Sequence, residues 1–492
     1  MEQNSWPSPP PGTAPDRPTI YDGAAKTWWR WHDLTRAADA MAARLSGPKR
    51  LAFIFVHNDL ATVVAYLACL RAGLATALLD RGTPLELALP LVEQYAPEWL
   101  LCCDDALIAS VSRISYERVE DAGAPDQIMQ LRDGSRRDIH PDLALLLSTS
   151  GSTGTPKFVR LSYRNLSVNV RDIVTTLRLT ARDCAITTLP LHYSYGLSVL
   201  NSHLVAGAKI VLTDKSILDG EFWSLIREQQ CTSFAGVPHT FKLLTSLGIE
   251  RTGAVSLKTF TQAGGQLDRS LIEHFADVAE RRQGRFFVMY GQTEASPRMT
   301  TLDWTDVRRK LGSVGKPMPS GRIVIWSLEN AQARDSCLEP HEIGEVCYRG
   351  PNVMMGYAQS RADLGRGDDL GGTLRTGDIG YLDRDGYLFL TGRLKRIAKL
   401  AGIRVSLDEV EQMVSGYCAV ACIEANDGLR VFAAGANDAT VARLERDLLV
   451  RLKLHRSLLC VQSIDKLPLT ARGKVDYRKL AGLAEAIAPS SS

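Results

Sequence analysis

Short strand-like runs alternate with helical patterns through much of the chain. The runs are apolar and rich in β-branched residues, whereas the helical patterns repeat apolar residues every three or four positions. The strand-like runs are Leu51–Val56, Cys184–Thr188, Lys209–Leu212 and Phe286–Met289, and the helical patterns are Leu60–Ala72, Leu161–Leu177 and Phe222–Glu228. Strand followed by helix, repeated, predicts an α/β fold with mostly parallel sheets. Ligands are then expected at the ends of strands.

The pattern changes beyond Gly315, where short strands and turns predominate. Gly344–Arg349 and Tyr387–Leu390 are predicted strands, and the sequence Asp-Arg-Asp-Gly at 383–386 is a hairpin turn signal. The run from Asp363 to Gly377, rich in Gly and Asp, is predicted to be a mobile surface loop. After Arg393 a compact strand and helix pattern follows. We therefore expect a disordered leader at 1–18, a large domain at 19–392, a hinge at 393–395, a small domain at 396–485 and a flexible tail at 486–492.

Composition and charge exclude several classes of protein. The 492 residues are 45% hydrophobic and 23% charged, which is typical of globular proteins. The net charge is +3 and the basic residues are not clustered, so a nucleic acid partner is not expected. The leader lacks the pattern of a signal peptide. The apolar helical run Ala61–Leu70 is too short to span a bilayer, which takes about 20 residues, so a cytoplasmic protein is predicted.

The segment with the clearest chemistry is Ser148–Lys157, which reads Ser-Thr-Ser-Gly-Ser-Thr-Gly-Thr-Pro-Lys and follows the apolar strand Leu143–Leu147. Glycines let the backbone approach an anion, and successive N–H groups and hydroxyls can surround phosphate oxygens. The segment differs from the P-loop of kinases and GTPases, because only Ser152 and Thr153 separate Gly151 from Gly154 and Phe158 follows the lysine. It predicts a phosphate-binding loop of another type.

Further motifs follow this loop in a fixed order. They are Ala263–Gly265, Tyr290–Glu294, Gly312–Pro317, Gly344–Val346 with Gly350 and Gly356–Tyr357, Arg375–Asp378, Gly392–Arg393 through Lys395, Lys399 and Gly402, and Gly473–Lys474. With the loop, this series resembles the adenylate-forming superfamily, which includes acyl- and aryl-CoA synthetases, peptide-synthetase adenylation domains and luciferase. The resemblance covers about residues 145 to 480 and is strongest to stand-alone acyl- or aryl-CoA ligases. It implies a large domain of two α/β sheet subdomains and a β-rich subdomain, with a small mobile α+β domain after it.

The resemblance also implies an ATP site. Tyr290 would stack on adenine, Thr293 would bind a phosphate oxygen, and Glu294 would be the Mg²⁺ ligand, since Mg²⁺ prefers hard oxygens and bridges phosphates. Asp378 would accept from the ribose hydroxyls with Arg393 beside it. The remaining expected ATP contacts are Thr149, Ser150, Gly151, Ser152, Thr153, Gly154, Lys157, Gly264, Gly265, Gly291, Gln292 and Lys474.

Three lysines near the C-terminus are given separate roles by the same resemblance. Lys474 would contact the α-phosphate and offset charge in the transition state. Lys395 corresponds to the hinge, and rotation there would swing the small domain. Lys399 would then face the active site in the second half-reaction. We expect Lys474, Lys399, Glu294 and Thr293 to be catalytic.

The segment Leu189–Leu197 resembles the family's acyl pocket, with His192 and Tyr195 in its wall. The other expected wall residues are Val237, Ala263, Gly264, Met289 and Pro297. Members that activate amino acids carry an aspartate here to pair with the substrate's ammonium, and Leu189–Leu200 contains none. Because a buried unpaired ammonium is costly, an aryl, alkyl or otherwise uncharged-bodied acid is predicted.

These residues predict an enzyme that uses ATP and Mg²⁺ to convert a small carboxylic acid to an acyl-AMP and then transfers the acyl group to a thiol. The thiol would be coenzyme A or the phosphopantetheine of a separate carrier protein, and the oligomeric state is left open. Three alternatives remain. The first is transfer to an amine or activation of an unusual oxyacid. The second is a non-catalytic nucleotide-binding regulator, and the third is a kinase or NTPase that would release ADP.

Overall fold

The computed structural model describes residues 12–119, 128–132, 138–148, 157–328, 337–400, 403–425, 428–452, 454–469 and 475–486. They fall into two compact units, one within Met1–Ile323 and Tyr348–Leu374 and the other within Val324–Cys347 and Arg375–Ser492. Among the described helices, none is long and apolar enough to cross a lipid bilayer.

The first unit contains a nine-stranded sheet whose central strands are parallel. In spatial order the strands are β16 (Lys316–Pro317), β15 (Arg298–Leu302), β14 (Arg285–Gly291), β13 (Thr259–Gln262), β12 (Ser233–Gly236), β10 (Cys184–Ile186), β11 (Lys209–Leu212), β1 (Pro18–Asp22) and β2 (Thr27–Arg30). Helices connect the parallel strands of this sheet, as the alternation of strand and helix patterns predicted.

The second large sheet of this unit has eight strands. In spatial order they are β19 (Gly356–Ala358), β9 (Phe158–Ser162), β8 (Leu143–Ser148), β4 (Ala75–Asp80), β3 (Leu51–Val56), β5 (Trp99–Leu101), β7 (Ile128–Leu131) and β6 (Tyr116–Arg118). Alternate residues of β3 belong to two different apolar clusters, Phe53 and Phe55 to one and Ala52 and Ile54 to the other. Both faces of this sheet are therefore covered, which explains why its strands are almost continuously apolar.

Nine described helices pack on these sheets. They are α1 (Trp31–Leu45), α2 (Leu60–Arg71), α3 (Leu85–Tyr95), α4 (Asp105–Ile114), α5 (Tyr163–Leu177), α6 (Ser194–Val205), α7 (Gly220–Glu228), α8 (Pro238–Leu247) and α9 (Arg269–Arg281). Helix α5 begins two residues later than predicted, because Ser162 caps it through a reciprocal pair of hydrogen bonds with Asn165. Leu161 and Ser162 belong to β9 instead.

The second unit holds the smaller sheets and the C-terminal helices. The strands that lie wholly or mostly in it are β17 (Arg322–Trp326), β18 (Gly344–Arg349), β20 (Thr373–Leu382) and β21 (Leu388–Arg393) in one sheet, β22 (Ile397–Leu400) and β23 (Ile403–Ser406) in another, and β24 (Val420–Ala425), β25 (Gly428–Ala434) and β26 (Leu459–Ile464) in a third. Its helices are α10 (Leu407–Val414), α11 (Asp438–Leu452) and α12 (Tyr477–Ala486). The predicted hinge at 393–395 lies within this unit, and the predicted domain boundaries stay predictions.

One local prediction was wrong. The segment from Asp363 to Gly377 is not a single loop, since a short 3-10 helix covers Arg361–Gly365 and β20 begins at Thr373. Asp363 accepts hydrogen bonds from the backbone of Gln359 and Ser360, and Asp369 pairs with the buried Arg160. These aspartates therefore stabilise an ordered backbone, which a composition rich in Gly and Asp does not predict.

Candidate active site

Lys157 and Glu294 both lie close to Tyr357. The Tyr357 hydroxyl donates a hydrogen bond of 2.8 Å to Glu294 Oε1, and Lys157 Nζ lies 5.9 Å from the centroid of the same ring. Strand β19 brings Tyr357 to this position, because it pairs with β9 so that Tyr357 is opposite Val159. The end of the predicted phosphate loop and the predicted magnesium ligand thus lie close together. Residues 149–156 of that loop are outside the described residues.

Tyr357 is a donor because its hydroxyl keeps its proton. Burial raises the pKa of Tyr357, and the adjacent carboxylate of Glu294 raises it further. Tyr357 as a whole is 39% exposed, and Lys157 and Glu294 are each partly exposed. A cation and an anion that share one tyrosine suit a phosphate with its metal ion.

The segment that carries Glu294 is fixed through its backbone. Tyr290, Gly291 and Gln292 lead from β14 into the short 3-10 helix Thr293–Ala295. Met354 donates its N–H to the Glu294 carbonyl at 2.8 Å, and the side chain of Asn352 donates to the Ala295 carbonyl at 2.7 Å. Asn352 is fully buried, and it belongs to none of the sequence motifs.

Thr293 faces the start of α6. Its Oγ1 lies 3.0 Å from Ser194 Oγ, so the two hydroxyls share a hydrogen bond. Ser194 stands between Tyr193 and Tyr195 in the segment expected to form the acyl pocket. The predicted phosphate contact and the predicted acyl segment therefore touch each other.

The turn Ala263–Gly265 follows the end of β13 and needs its central glycine. Gly264 has a φ of +85°, and a Cβ there would lie 2.8 Å from Tyr193 Oη and 3.2 Å from Val237 Cγ1. The Gln262 side chain closes the turn by donating to the Gly265 carbonyl at 2.8 Å. The glycine therefore lets this turn pass directly against the predicted pocket wall.

Four of the predicted pocket residues come together in one apolar cluster. Tyr195, Ala263 and Met289 are buried in it, and Val237 packs against it. The Tyr195 hydroxyl donates to the Thr261 carbonyl at 2.8 Å, so the hydroxyl is already engaged within the protein. Burial raises the pKa of Tyr195 to about 12.

The other predicted wall residues lie in different surroundings. His192 Nε2 is 3.9 Å from Asp80 Oδ2, at the end of β4. Asn58 holds this segment, since its Oδ1 accepts from the Leu191 N–H at 3.1 Å. A Cβ on Gly291 would lie only 1.8 Å from the carbonyl oxygen of Pro297. This glycine therefore permits the contact between β14 and the start of β15.

A buried cation that the motif analysis missed lies at the same cluster. Arg298 is 3% exposed, and its guanidinium stacks 4.9 Å from the centroid of the Tyr195 ring. Its Nη1 donates to Met289 Sδ at 3.1 Å. The predicted pocket wall is therefore not purely apolar.

In the second unit, Asp378 pairs with Arg393. The Arg393 Nε lies 2.8 Å from Asp378 Oδ1, because the two residues are opposite each other in the β20–β21 pair. The aspartate side chain is 5% exposed and the arginine side chain 59% exposed. The pair thus joins a buried carboxylate to an exposed guanidinium, and the ribose contact stays a prediction.

Arg396, the residue directly after the predicted hinge, is held by ion pairs to α10. Lys395 is exposed in the 3-10 helix Leu394–Arg396. The Arg396 guanidinium binds Asp408 and, at 2.5 Å, Glu411, both on α10, and it stacks 3.8 Å from the Tyr477 ring. The side chain of Lys399 and the whole of Lys474 lie outside what the structure describes.

The residues present fit a magnesium ion bound with nucleotide. Glu294 contributes a carboxylate that shares Tyr357 with Lys157, and Mg²⁺ in such sites needs one or two carboxylates, since water and phosphate oxygens fill its other positions. Among the described residues there is no group of three or more His, Cys, Asp or Glu side chains that would hold a metal by itself. Glu294 is therefore the residue that would hold the ion.

Comparison with known proteins gives consistent matches. The family model for the AMP-binding enzymes matches residues 11–358. A 2-succinylbenzoate–CoA ligase from Bacillus velezensis is 30% identical over 438 residues, which cover 85% of this chain and 84% of that protein. An oxalate–CoA ligase from Arabidopsis thaliana is 28% identical over 484 residues, 92% of each protein. The crystal structure of ATP-bound MatB from Rhodopseudomonas palustris superposes with a TM-score of 0.78 at 23% identity, covering 96% of this chain and 97% of that one.

Proposed function

The chain belongs to the AMP-binding enzyme family, and from this we propose that it activates a small carboxylic acid with ATP and joins it to a thiol. The predicted superfamily, fold class and ligase class are confirmed by the family model, the CoA ligases among its relatives and the structural match. The observation that carries the proposal is the contact of Lys157 and Glu294 through Tyr357.

In the first half-reaction, a carboxylate oxygen of the acid attacks the α-phosphorus of ATP. The bond from that phosphorus to the oxygen bridging it to the β-phosphorus breaks, and pyrophosphate leaves with the electron pair. Magnesium, when bound, neutralises charge on the phosphates and the leaving group. Glu294 holds the ion, Thr293 and Lys157 bind phosphate oxygens, and Lys474 stabilises charge at the α-phosphate.

In the second half-reaction, a thiolate attacks the acyl carbon and AMP leaves with the former carboxylate oxygen. We propose that the chain turns at 393–395 between the two steps, with Lys395 at the hinge and Lys399 facing the site afterwards. The anchoring of Arg396 on α10 supports this, because the part that turns then begins immediately after Lys395. Asp378 and Arg393 bind the ribose of the nucleotide.

The acid we propose is an aryl or alkyl carboxylic acid. The cluster of Tyr195, Ala263, Met289 and Val237 offers apolar contacts to its body. Leu189–Leu200 still contains no aspartate to pair with the ammonium of an amino acid. The two relatives are named for different acids, 2-succinylbenzoate and oxalate, so their names do not select one for this chain.

The acceptor we propose is coenzyme A, with the phosphopantetheine of a separate carrier protein as the second candidate. The relatives, named as CoA ligases, favour coenzyme A. Both candidates present the same thiol, so one site and one chemistry serve either. We further propose that the enzyme works in the cytoplasm, where ATP and coenzyme A are available.

A pyrophosphate-release screen over aryl, fatty and amino acids tests this function, followed by mass spectrometry of the products with coenzyme A, an amine or water as acceptor. In the variant Lys474→Ala, acid-dependent pyrophosphate exchange should fall by at least about a hundredfold, the usual cost of losing one transition-state donor. Thioester formation from preformed acyl-AMP should survive. ATP binding without pyrophosphate release for any acid would instead favour a non-catalytic regulator.

A further inference from the structure

Arg298 is a buried cation without an acidic partner. Its Nη2 donates to Ser198 Oγ at 3.3 Å and its Nη1 to Met289 Sδ at 3.1 Å, while its Nε has no hydrogen-bond partner in the described part of the chain. A guanidinium has five N–H donors in a planar fork. One sulfur and one hydroxyl oxygen therefore leave most of its capacity for hydrogen bonds unused.

The other buried arginines of the same unit are paired. Arg160 lies 2.5 Å from Asp369, and Arg361 lies 2.5 Å from Glu98. Among the described residues, no carboxylate lies within 4.0 Å of the Arg298 side chain. Burial lowers the pKa of this guanidinium, and Tyr195 opposes the shift to a smaller extent. Because burying a charge without a counter-ion is costly, a bound anion would relieve a penalty that Arg160 and Arg361 do not bear.

The position of Arg298 identifies which ligand can supply the anion. Its guanidinium contacts Tyr195 and Met289, and both belong to the apolar cluster expected to form the acyl pocket. The ring of Tyr195 stacks on the planar cation, which orients its N–H donors. In such apolar surroundings a charge pair is stronger than at the protein surface.

We propose that Arg298 binds a second carboxylate of the acid, so that the substrate is a dicarboxylic acid of which only one carboxylate is adenylated. This inference rests on the proposed function, because it takes the cluster around Tyr195 to be the acyl pocket. A guanidinium fork matches the two oxygens of a carboxylate. The body of the acid then contacts the apolar wall, and Arg298 selects acids that carry a second anionic group.

Binding to the complete protein tests this without turnover. Calorimetric titrations in the presence of Mg²⁺ and α,β-methylene-ATP compare malonate, succinate, glutarate and isophthalate with acetate, propionate, butyrate and benzoate. At least one diacid should bind the wild type at least about tenfold more tightly than its monocarboxylate counterpart, the effect expected of a buried charged hydrogen bond. If no diacid exceeds its counterpart, the inference is wrong.

The variant Arg298→Met should remove that preference while monocarboxylate binding stays within about threefold. The matched control is Arg282→Met, since Arg282 is also largely buried but pairs with Glu250 outside the cluster. It should retain the preference. A preference that persists in Arg298→Met would overturn the inference.

A further variant guards against misfolding. Should Arg298→Met melt below the assay temperature, Arg298→Lys keeps the cation but loses the fork, and it should reduce the diacid preference about tenfold. An unchanged preference in this variant counts against Arg298. Pyrophosphate release with the same acids separates the two proposals, because a diacid that binds through Arg298 but releases no pyrophosphate contradicts the proposed function alone.

Discussion

The hydroxyl of Tyr357 donates a 2.8 Å hydrogen bond to the carboxylate of Glu294. If Glu294 holds magnesium, this bond orients the ligand, and such supporting contacts change metal affinity by tenfold or more when removed. In Tyr357→Phe we expect the Mg²⁺ concentration for half-maximal pyrophosphate exchange to rise about tenfold. The rate at saturating Mg²⁺ should change little, because the ring beside Lys157 remains.

The control for this variant is Tyr417→Phe, which removes a tyrosine–carboxylate hydrogen bond to Asp447 in the second unit. Its Mg²⁺ dependence should match that of the wild type. A Tyr357→Phe enzyme with an unshifted Mg²⁺ midpoint would show that Glu294 needs no such support or is not the metal ligand.

Asp378 is buried and faces the exposed Arg393. In Asp378→Asn we expect KM for ATP to rise about tenfold, because a charged acceptor for the ribose hydroxyls becomes a neutral one. The melting temperature should move little, because the amide oxygen of the new asparagine can still accept from Arg393, whose side chain is 59% exposed. Steady-state kinetics with ATP varied at fixed acid measures the effect.

The Arg375–Glu345 pair in the same sheet provides the comparison. Glu345→Gln removes a carboxylate of similar burial away from the proposed ribose contact, so KM for ATP should stay near the wild-type value. Equal rises in both variants would mean that the sheet, not the ribose contact, was damaged.

Gly264 and Gly386 both have positive φ, +85° and +78°, but differ in their surroundings. An alanine strains the backbone at either position by about 1 to 2 kcal/mol. At Gly386 nothing lies within 4 Å of the new Cβ, whereas at Gly264 it meets Tyr193 Oη. We expect Gly264→Ala to reduce pyrophosphate exchange more than tenfold, whereas Gly386→Ala, which adds the backbone strain alone, should keep exchange near the wild-type rate. Similar activities in the two variants would exclude a role for the turn.

Lys49 has a buried amine 4.8 Å from the centroid of the Tyr163 ring. Burial lowers its pKa from 10.5 to about 7, although Asp142 opposes the shift. Between these values the unfolded chain binds more protons than the folded chain, so stability should rise as pH increases from about 7 to 10.5. One such group contributes a slope of up to about 1.4 kcal/mol per pH unit.

Denaturation at several pH values checks this expectation. Lys49→Met should flatten the rise and gain stability most at pH 7 or below. Lys26→Met, at an exposed position, should keep the wild-type slope. An identical slope in Lys49→Met and the wild type would place the amine in water.

The sequence predicted the helices and strands whose ends are set by neighbouring residues, such as a capping side chain or the limits of an apolar run. Strand β3 and strand β11 begin and end where the apolar runs predicted, and α2 begins at Leu60 because Asp59 caps it through the Thr62 N–H. Hydrogen bonds between residues close in sequence also form the hairpin at Asp383–Gly386, which the dipeptide Asp-Gly predicted.

What sequence reasoning missed depends on tertiary contact. Arg298 follows directly after Pro297, a predicted pocket residue, yet an arginine on a strand is ordinarily expected at the surface. Its burial becomes visible only when β15 packs beside β14 and α6 supplies Ser198. Asn352 is similar, since nothing in its own segment shows that its amide supports the helix carrying Glu294.

The central claim, attack of the acid's carboxylate on the α-phosphorus of ATP, is tested most directly by isotope transfer. An acid labelled with ¹⁸O in its carboxylate is turned over with ATP, Mg²⁺ and coenzyme A, and the nucleotide is analysed by mass spectrometry. Our account predicts AMP carrying one ¹⁸O atom, with the other retained in the thioester. Unlabelled AMP, or ADP with the label in inorganic phosphate, would contradict it.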